Sequence, residues 1–289
     1  MPFINQPDYS YIGTVILTVL IGLVIVLILI FIRRVVTSVV DGLEMIYTFY
    51  SKKPAFVHFY PLINKLSQEQ ENILKNQFTF YKRLNTKHQK YFRHRVASFI
   101  KAKHFIGKEE FEVTEEVKVL VSATAIMLTF GFRDFIINVV KTILIYPQQY
   151  YSELNKEYHK GEFNVNLKTL VLSWDNFLEG YKIEDDKLNL GIHEFSHAIH
   201  FNSLYQEDIS SVIFIDTFNE LREMISLNKE IRDNLMSSEY IRSYAFTNDF
   251  ELLAVVIETF IETPKLFRGQ FPEVYVKVKQ MLNFNFSGY

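Results

Sequence analysis

Gly191-Ile192-His193-Glu194-Phe195-Ser196-His197-Ala198-Ile199-His200 is the stretch on which the reading of this chain turns. It contains His-Glu-x-x-His, a pattern whose mechanics are those of a metal-binding helix. On an α-helix, positions i and i+4 share a face, so His193 and His197 can aim their imidazoles at one metal ion. Glu194 then sits beside the ion without binding it. A carboxylate held there can take a proton from a water molecule activated by the metal, which is the chemistry of hydrolysis. Ile192, Phe195, Ala198 and Ile199 surround the polar positions with apolar ones, as in a buried helix, where unpaired histidines are costly. The competing reading is an amphipathic helix with surface histidines.

The 289 residues suffice for one large domain or two small ones. A formal net charge of −2, with 27 Phe and 17 Tyr, gives no argument for direct contact with nucleic acid. Cysteine is absent from the sequence, which excludes disulfides, thiol catalysis, iron–sulfur clusters and cysteine-ligated zinc. Any metal must therefore be held by His, Asp or Glu, and the set His, His and Glu suits zinc while also accepting cobalt or manganese.

Residues 11–32 form an uncharged, almost wholly apolar run. At about 1.5 Å per residue it reaches roughly 33 Å, enough to cross a bilayer core. This predicts a transmembrane helix, with residues 1–10 as a short extracytoplasmic tail. No Lys or Arg precedes the run, whereas Arg33, Arg34, Lys52 and Lys53 follow it, so the positive-inside rule puts the remainder in the cytoplasm. A cleaved signal peptide fits less well, because a basic start and a small-residue cleavage site are missing.

Apolar residues at helical spacing continue through residues 33–61, read as a juxtamembrane helical segment, and Pro61 opens a further helical region reaching Phe80. Residues 82–104 carry eight Lys or Arg and no acid, interleaved with Leu84, Tyr91, Phe92, Val96, Phe99 and Ile100. Such a basic amphipathic helix either rests on an anionic leaflet, receives an acidic partner, or packs its apolar stripe on the domain with its charges solvated. Thr114-Glu115-Glu116 opens a helix too short to span a membrane, hence a core helix. Residues 142–146 and 169–174 read as strands, the second near enough to the His pair to align a peptide by backbone pairing. Asp185-Asp186 is expected to begin the helix of the His pair, and residues 212–227 and 239–244 look helical.

Asn248 is placed to cap a helix whose third residue is Glu251 and which runs to Glu262 before Pro264. Glu251 is then either the reciprocal partner of a capping box or a third metal ligand from a second helix, and spacing does not separate the two. Glu258, seven residues on, shares its face. The sum is an α+β, mainly helical fold: one transmembrane helix, then a domain over residues 62–289 with a small β-sheet beside the helix of the His pair.

Several separate motifs carry a resemblance. They are Gln89-Lys90-Tyr91-Phe92-Arg93-His94-Arg95-Val96 with Phe105-Ile106-Gly107, then Val113-Thr114-Glu115-Glu116, Ile143-Leu144-Ile145-Tyr146-Pro147, and Leu172-Ser173-Trp174-Asp175 with Gly180. His193 to His197, Tyr244-Ala245 through Glu251, and Glu258 through Pro264 complete them. Over residues 62–282 the chain resembles the Mlc titration factor A family of zinc metallopeptidases, gluzincin-type enzymes whose core is similar to that of the anthrax lethal factor protease. The resemblance implies Zn2+ held by His193, His197 and Glu251, with Glu194 as general base and Tyr244 stabilising the oxyanion. It implies Glu258 as a partner of a ligand histidine or of the peptide amine, and Ser173 and Trp174 on the strand that aligns substrate. It also implies aminopeptidase-like cleavage of short substrates; an endopeptidase acting near the membrane is the alternative, and the transmembrane helix, not the resemblance, predicts a location at the bacterial inner membrane. Its named member binds a repressor of sugar-uptake genes, so a membrane-tethered protein that sequesters a cytoplasmic regulatory partner is the rival expectation. Two departures stand out: His200 occupies a position where the family usually has Asp, expected as a pocket wall or solvated residue, and the best-known members are soluble.

Overall fold

A computed structural model of the chain describes residues 9–152, 156–182, 189–238, 240–286 and 289. The chain divides into two compact units, Met1–Ser51 and Lys52–Tyr289. In the first, helix α1 (Tyr9–Ser51) runs unbroken for 43 residues. Every Leu, Ile and Val from Ile16 to Ile32 is at least 50% exposed, the opposite of a core helix. It is the one described helix long and apolar enough to cross a membrane. Most of the expected tail, residues 1–8, lies outside the described residues. The expected helical segment 33–61 is cut short: α1 ends at Ser51, Lys52 takes a left-handed φ of 53°, and residues 52–61 belong to the second unit.

Residues 52–66 cross the surface of that unit as an irregular strap rather than a helix. The helical region expected from Pro61 begins only at α2 (Gln68–Gln77), where Ser67 and Gln70 form a capping box, and α3 (Thr79–Arg83) follows. The strap is held by side chains of α4 (Thr86–Ala102): the Asn64 N–H donates to His94 Nδ1 at 2.9 Å, and Arg95 donates to the Val57 carbonyl and the Tyr60 hydroxyl. Arg95 is fully buried and also donates to the carbonyls of Thr129, Phe130 and Phe132.

Of the three readings of the basic stretch, the one that packs its apolar stripe on the domain agrees with the structure, except that its charges are not all solvated. Phe92, Val96 and Phe99 of α4 lie in the core, and two of the eight basic groups, Arg95 and Lys103, are buried as well. The stretch is also three elements rather than one, since Lys82 and Arg83 end α3 and β1 (His104–Gly107) starts where the helix was expected to end. Lys103 donates at 2.6 Å to the carbonyls of both Ile137 and Val140. Burial, seconded by Lys141, pushes its ammonium down to about 7. Between about pH 7 and the ordinary lysine value the unfolded chain therefore binds a proton that the folded chain has released, so stability rises with pH there, by up to roughly 1.4 kcal/mol per unit. Urea unfolding of wild type and Lys103→Met across that window is expected to show the slope only in wild type; equal slopes would remove Lys103 as its source.

Thr114 caps α5 (Glu115–Leu128), which is buried from Val119 to Leu128. A four-stranded sheet follows in the order β1–β2–β6–β5. Strands β1, β2 (Thr142–Tyr146) and β6 (Thr169–Ser173) run parallel, and β5 (Gly161–Asn164) lies antiparallel at the edge. A separate hairpin pairs β3 (Tyr150–Ser152) with β4 (Glu157–His159). Trp174 opens α6 (Trp174–Lys182) instead of closing β6. Helix α7 (Leu190–Tyr205) carries the His pair and is capped by Asn189, whose side chain accepts from the Ile192 N–H; Asp185 and Asp186 lie outside the described residues. α8 (Ile209–Leu227), α9 (Lys229–Ser237), α10 (Asp249–Glu262), α11 (Pro264–Gln270) and α12 (Pro272–Met281) complete the unit. In place of the helix expected over 239–244 there is a short 3-10 turn, Ser243–Phe246, and Glu239 lies outside the described residues.

Candidate active site

α7 and α10 pack against each other, and their facing residues make the site. α7 is committed to the core by Ile192, Phe195, Ala198 and Ile199, so its remaining face presents His193 and His197, each 15% exposed. α10 is started by Asn248, whose side chain accepts from the backbone N–H groups of Phe250 and Glu251. The backbone of Glu251 is thus part of the cap while its carboxylate turns to the histidines. Its Oε2 lies 3.1 Å from His193 Nε2, its Oε1 lies 3.6 Å from His197 Nε2, and the two Nε2 atoms are 3.2 Å apart. Donor atoms about 2.0–2.1 Å from a tetrahedral centre stand roughly 3.3 Å from one another, so this triangle fits one metal ion. Glu251 Oε2 is buried and makes no well-directed hydrogen bond among the described residues, as suits a metal ligand.

The electrostatics favour a cation at the same point. Burial works against a charged His193, but Glu251 and Glu258 outweigh it and push the imidazole up to about 10. Burial, helped by the neighbouring His193, pushes His197 down to about 4, which leaves a neutral ring with a lone pair. Glu258, 1% exposed and two helical turns from Glu251, faces the other side of His193, its Oε2 3.6 Å from Nδ1. That arrangement holds Nε2 free for a metal. The same carboxylate also accepts from the Asn189 N–H and from Arg242. Of the two roles expected of it, its place against His193 supports that of partner to a ligand histidine, and it also lines the cleft beside the histidines.

Glu194 is buried beside this triangle. Burial pushes its carboxyl up to about 7, opposed by His193 and seconded by Glu251 and Glu162, and the Phe163 N–H of β5 donates to it. Tyr244, on the 3-10 turn, is 52% exposed, its ring centroid 6.4 Å from that of His193 and its hydroxyl in hydrogen-bonding contact with Glu251. A cleft of about 340 Å³ opens here, lined by His193, Glu194, Tyr244, Arg242, Gly161 and Glu179 among others.

Ser173 and Trp174 do not line this cleft. The Ser173 N–H and Oγ both donate to the Lys160 carbonyl, and Trp174 stacks on Phe177 at 5.4 Å. Because β6 is flanked by β2 and β5, the strand with an open edge at the site is β5. Ser173 serves that edge by pinning its first turn of chain. Gly161 lets the strand approach closely there: a Cβ would sit 2.8 Å from Leu190 Cδ1 and 3.0 Å from Glu194 Cγ, so those side chains would have to shift. A lone glycine in a strand was the available signal for this close approach. Arg242 had none. His200 turns away from the cleft and is neither its wall nor solvated: it is buried, with the rings of Phe218 and Phe250 each 5.0 Å away, and burial pushes it down to about 4.

A mainly helical domain with two histidines and a glutamate converging from crossed helices, and a buried carboxylate alongside, has the make-up of a metallopeptidase. The family described as glucose-regulated metallo-peptidase M90 matches residues 62–283, and the chain belongs to that family. A relative in Synechocystis sp. (strain ATCC 27184 / PCC 6803 / Kazusa), the uncharacterized protein slr2042, is 24% identical over 206 residues, covering 66% of this chain and 74% of its own length. The membership agrees with the resemblance carried by the sequence motifs, and it implies a metal at the site.

Proposed function

We propose that the chain is a zinc-dependent peptidase, held at a membrane by α1, that hydrolyses short peptides in an aminopeptidase-like manner. The observation that carries this reading is the closed triangle of His193, His197 and Glu251 with Glu194 beside it. When bound, zinc supplies Lewis acidity, polarising a carbonyl and making water easier to deprotonate. Glu194 takes the proton from the attacking water and passes it to the leaving amine. Tyr244 donates a hydrogen bond to the oxygen on which negative charge develops. The open edge of β5 aligns the substrate backbone, and Glu179 offers a carboxylate in the cleft wall for a free amino terminus. The exposed apolar length of α1 and the basic residues after it support an anchor with the peptidase domain in the cytoplasm.

The test uses the full chain, extracted in detergent from membranes washed with alkaline carbonate. About one zinc per chain is expected in wild type, with hydrolysis of amino-acid or short-peptide reporter substrates. Glu251→Ala is expected to lose most of its zinc and all hydrolysis. Recovery of the chain in the carbonate wash would overturn the anchor; a zinc-free wild type would overturn the metal site.

A further inference from the structure

Glu258 ties together three segments that are separate in sequence. Its Oε1 accepts from the backbone N–H of Asn189, the residue that caps α7. Its Oε2 accepts from Arg242 and faces His193 Nδ1 at 3.6 Å. Arg242 in turn is the residue from which the 3-10 turn bearing Tyr244 starts. One carboxylate therefore meets the start of the His-pair helix, one of its two histidines and the entry to the turn that carries the cleft tyrosine.

A carboxylate on a flexible side chain holds a neighbouring ring only if it is itself held. The Asn189 N–H occupies the outer oxygen, so the oxygen facing His193 depends on Arg242 for its placement. The Nε of Arg242 is buried and makes no hydrogen bond among the described residues, where the hydrogen bond of the guanidinium is the one its Nη2 gives to Glu258.

We propose that Arg242 is a positioning residue that acts through Glu258, fixing the rotamer of that carboxylate and with it the ring of His193 as a metal ligand. The inference rests on the metal site proposed above. Partners of this kind typically change metal affinity by 10–100-fold when removed. A lysine at 242 keeps one charged donor but not the planar fork, and so only part of the effect. Because Arg242 acts through Glu258, removing both is expected to cost no more than removing either one.

The experiment is equilibrium zinc competition against a chromophoric chelator, on the full chain in detergent with circular dichroism as the check on folding. Arg242→Met and Glu258→Gln are each expected to bind zinc about 10–100-fold more weakly, Arg242→Lys less so, and the double variant about as weakly as the singles. Unchanged zinc affinity in Arg242→Met, with only KM altered, would make Arg242 a substrate contact and overturn the proposal; so would strictly additive losses in the double variant. If Arg242→Met fails to fold, Arg242→Lys against the Glu258→Gln background decides the same question. A wild type that binds no zinc sinks the metal site and this inference together, whereas a zinc-binding wild type with an indifferent Arg242→Met sinks this inference alone.

Discussion

Glu194→Gln is expected to retain zinc and to lose hydrolysis by roughly 10²–10⁴-fold, the usual worth of a positioned general base. The substitution is nearly isosteric, and the amide oxygen can still accept the hydrogen bond that the Phe163 N–H gives to Glu194. What it removes is the capacity to take up a proton. Because Glu194 is not among the three converging donors, zinc content is expected to stay near that of wild type. Zinc analysis and reporter hydrolysis on the same preparation separate the two effects. A variant that binds zinc and still hydrolyses at the wild-type rate would remove Glu194 from the chemistry. If wild type binds zinc and cleaves nothing, a tethered binding protein becomes the better account of the site.

The largest effect on stability is expected at Arg95. Its guanidinium is fully buried and donates to the carbonyls of Thr129, Phe130, Phe132 and Val57 and to the Tyr60 hydroxyl, with the ring of Phe135 centred 4.5 Å from its central carbon. A buried charge is tolerated here because almost every donor has an acceptor. Arg95→Met leaves several buried carbonyls without a partner, and a loss of roughly 3–5 kcal/mol is expected. Arg95→Lys is expected to recover only part, since an ammonium offers three donors at one point where the planar fork reaches several directions. Urea unfolding followed by the fluorescence of Trp174, the one tryptophan, measures both. A cost below about 1 kcal/mol for Arg95→Met would mean that water replaces the guanidinium at these carbonyls.

The same two residues illustrate what can be read before folding and what cannot. The place of Glu194 beside the His pair was legible because its neighbours along one helix define it. Arg95 read as one more member of a basic stretch, because the carbonyls that make it structural lie some 35 residues away in sequence. The strand with an open edge beside the site was missed for a related reason. β6 is the most strand-like segment before the His pair, but which strand is left with an open edge is set by pairing order, and β5 is too short and mixed to announce itself.

Local sequence by itself determined the apolar helix near the N-terminus, the shared face of His193 and His197, the buried helix after Thr114, and the Asn248 cap of α10. Each of these depends on periodicity or capping within a few residues. Only tertiary structure decided that the Glu251 carboxylate faces the histidines, that Glu258 is enclosed by Asn189, Arg242 and His193, that His200 turns into the core, and that Arg95 and Lys103 point inward. A helix period states which residues share a face, but what that face meets is fixed by the packing of distant segments, and for Glu251 that means the crossing of α10 against α7.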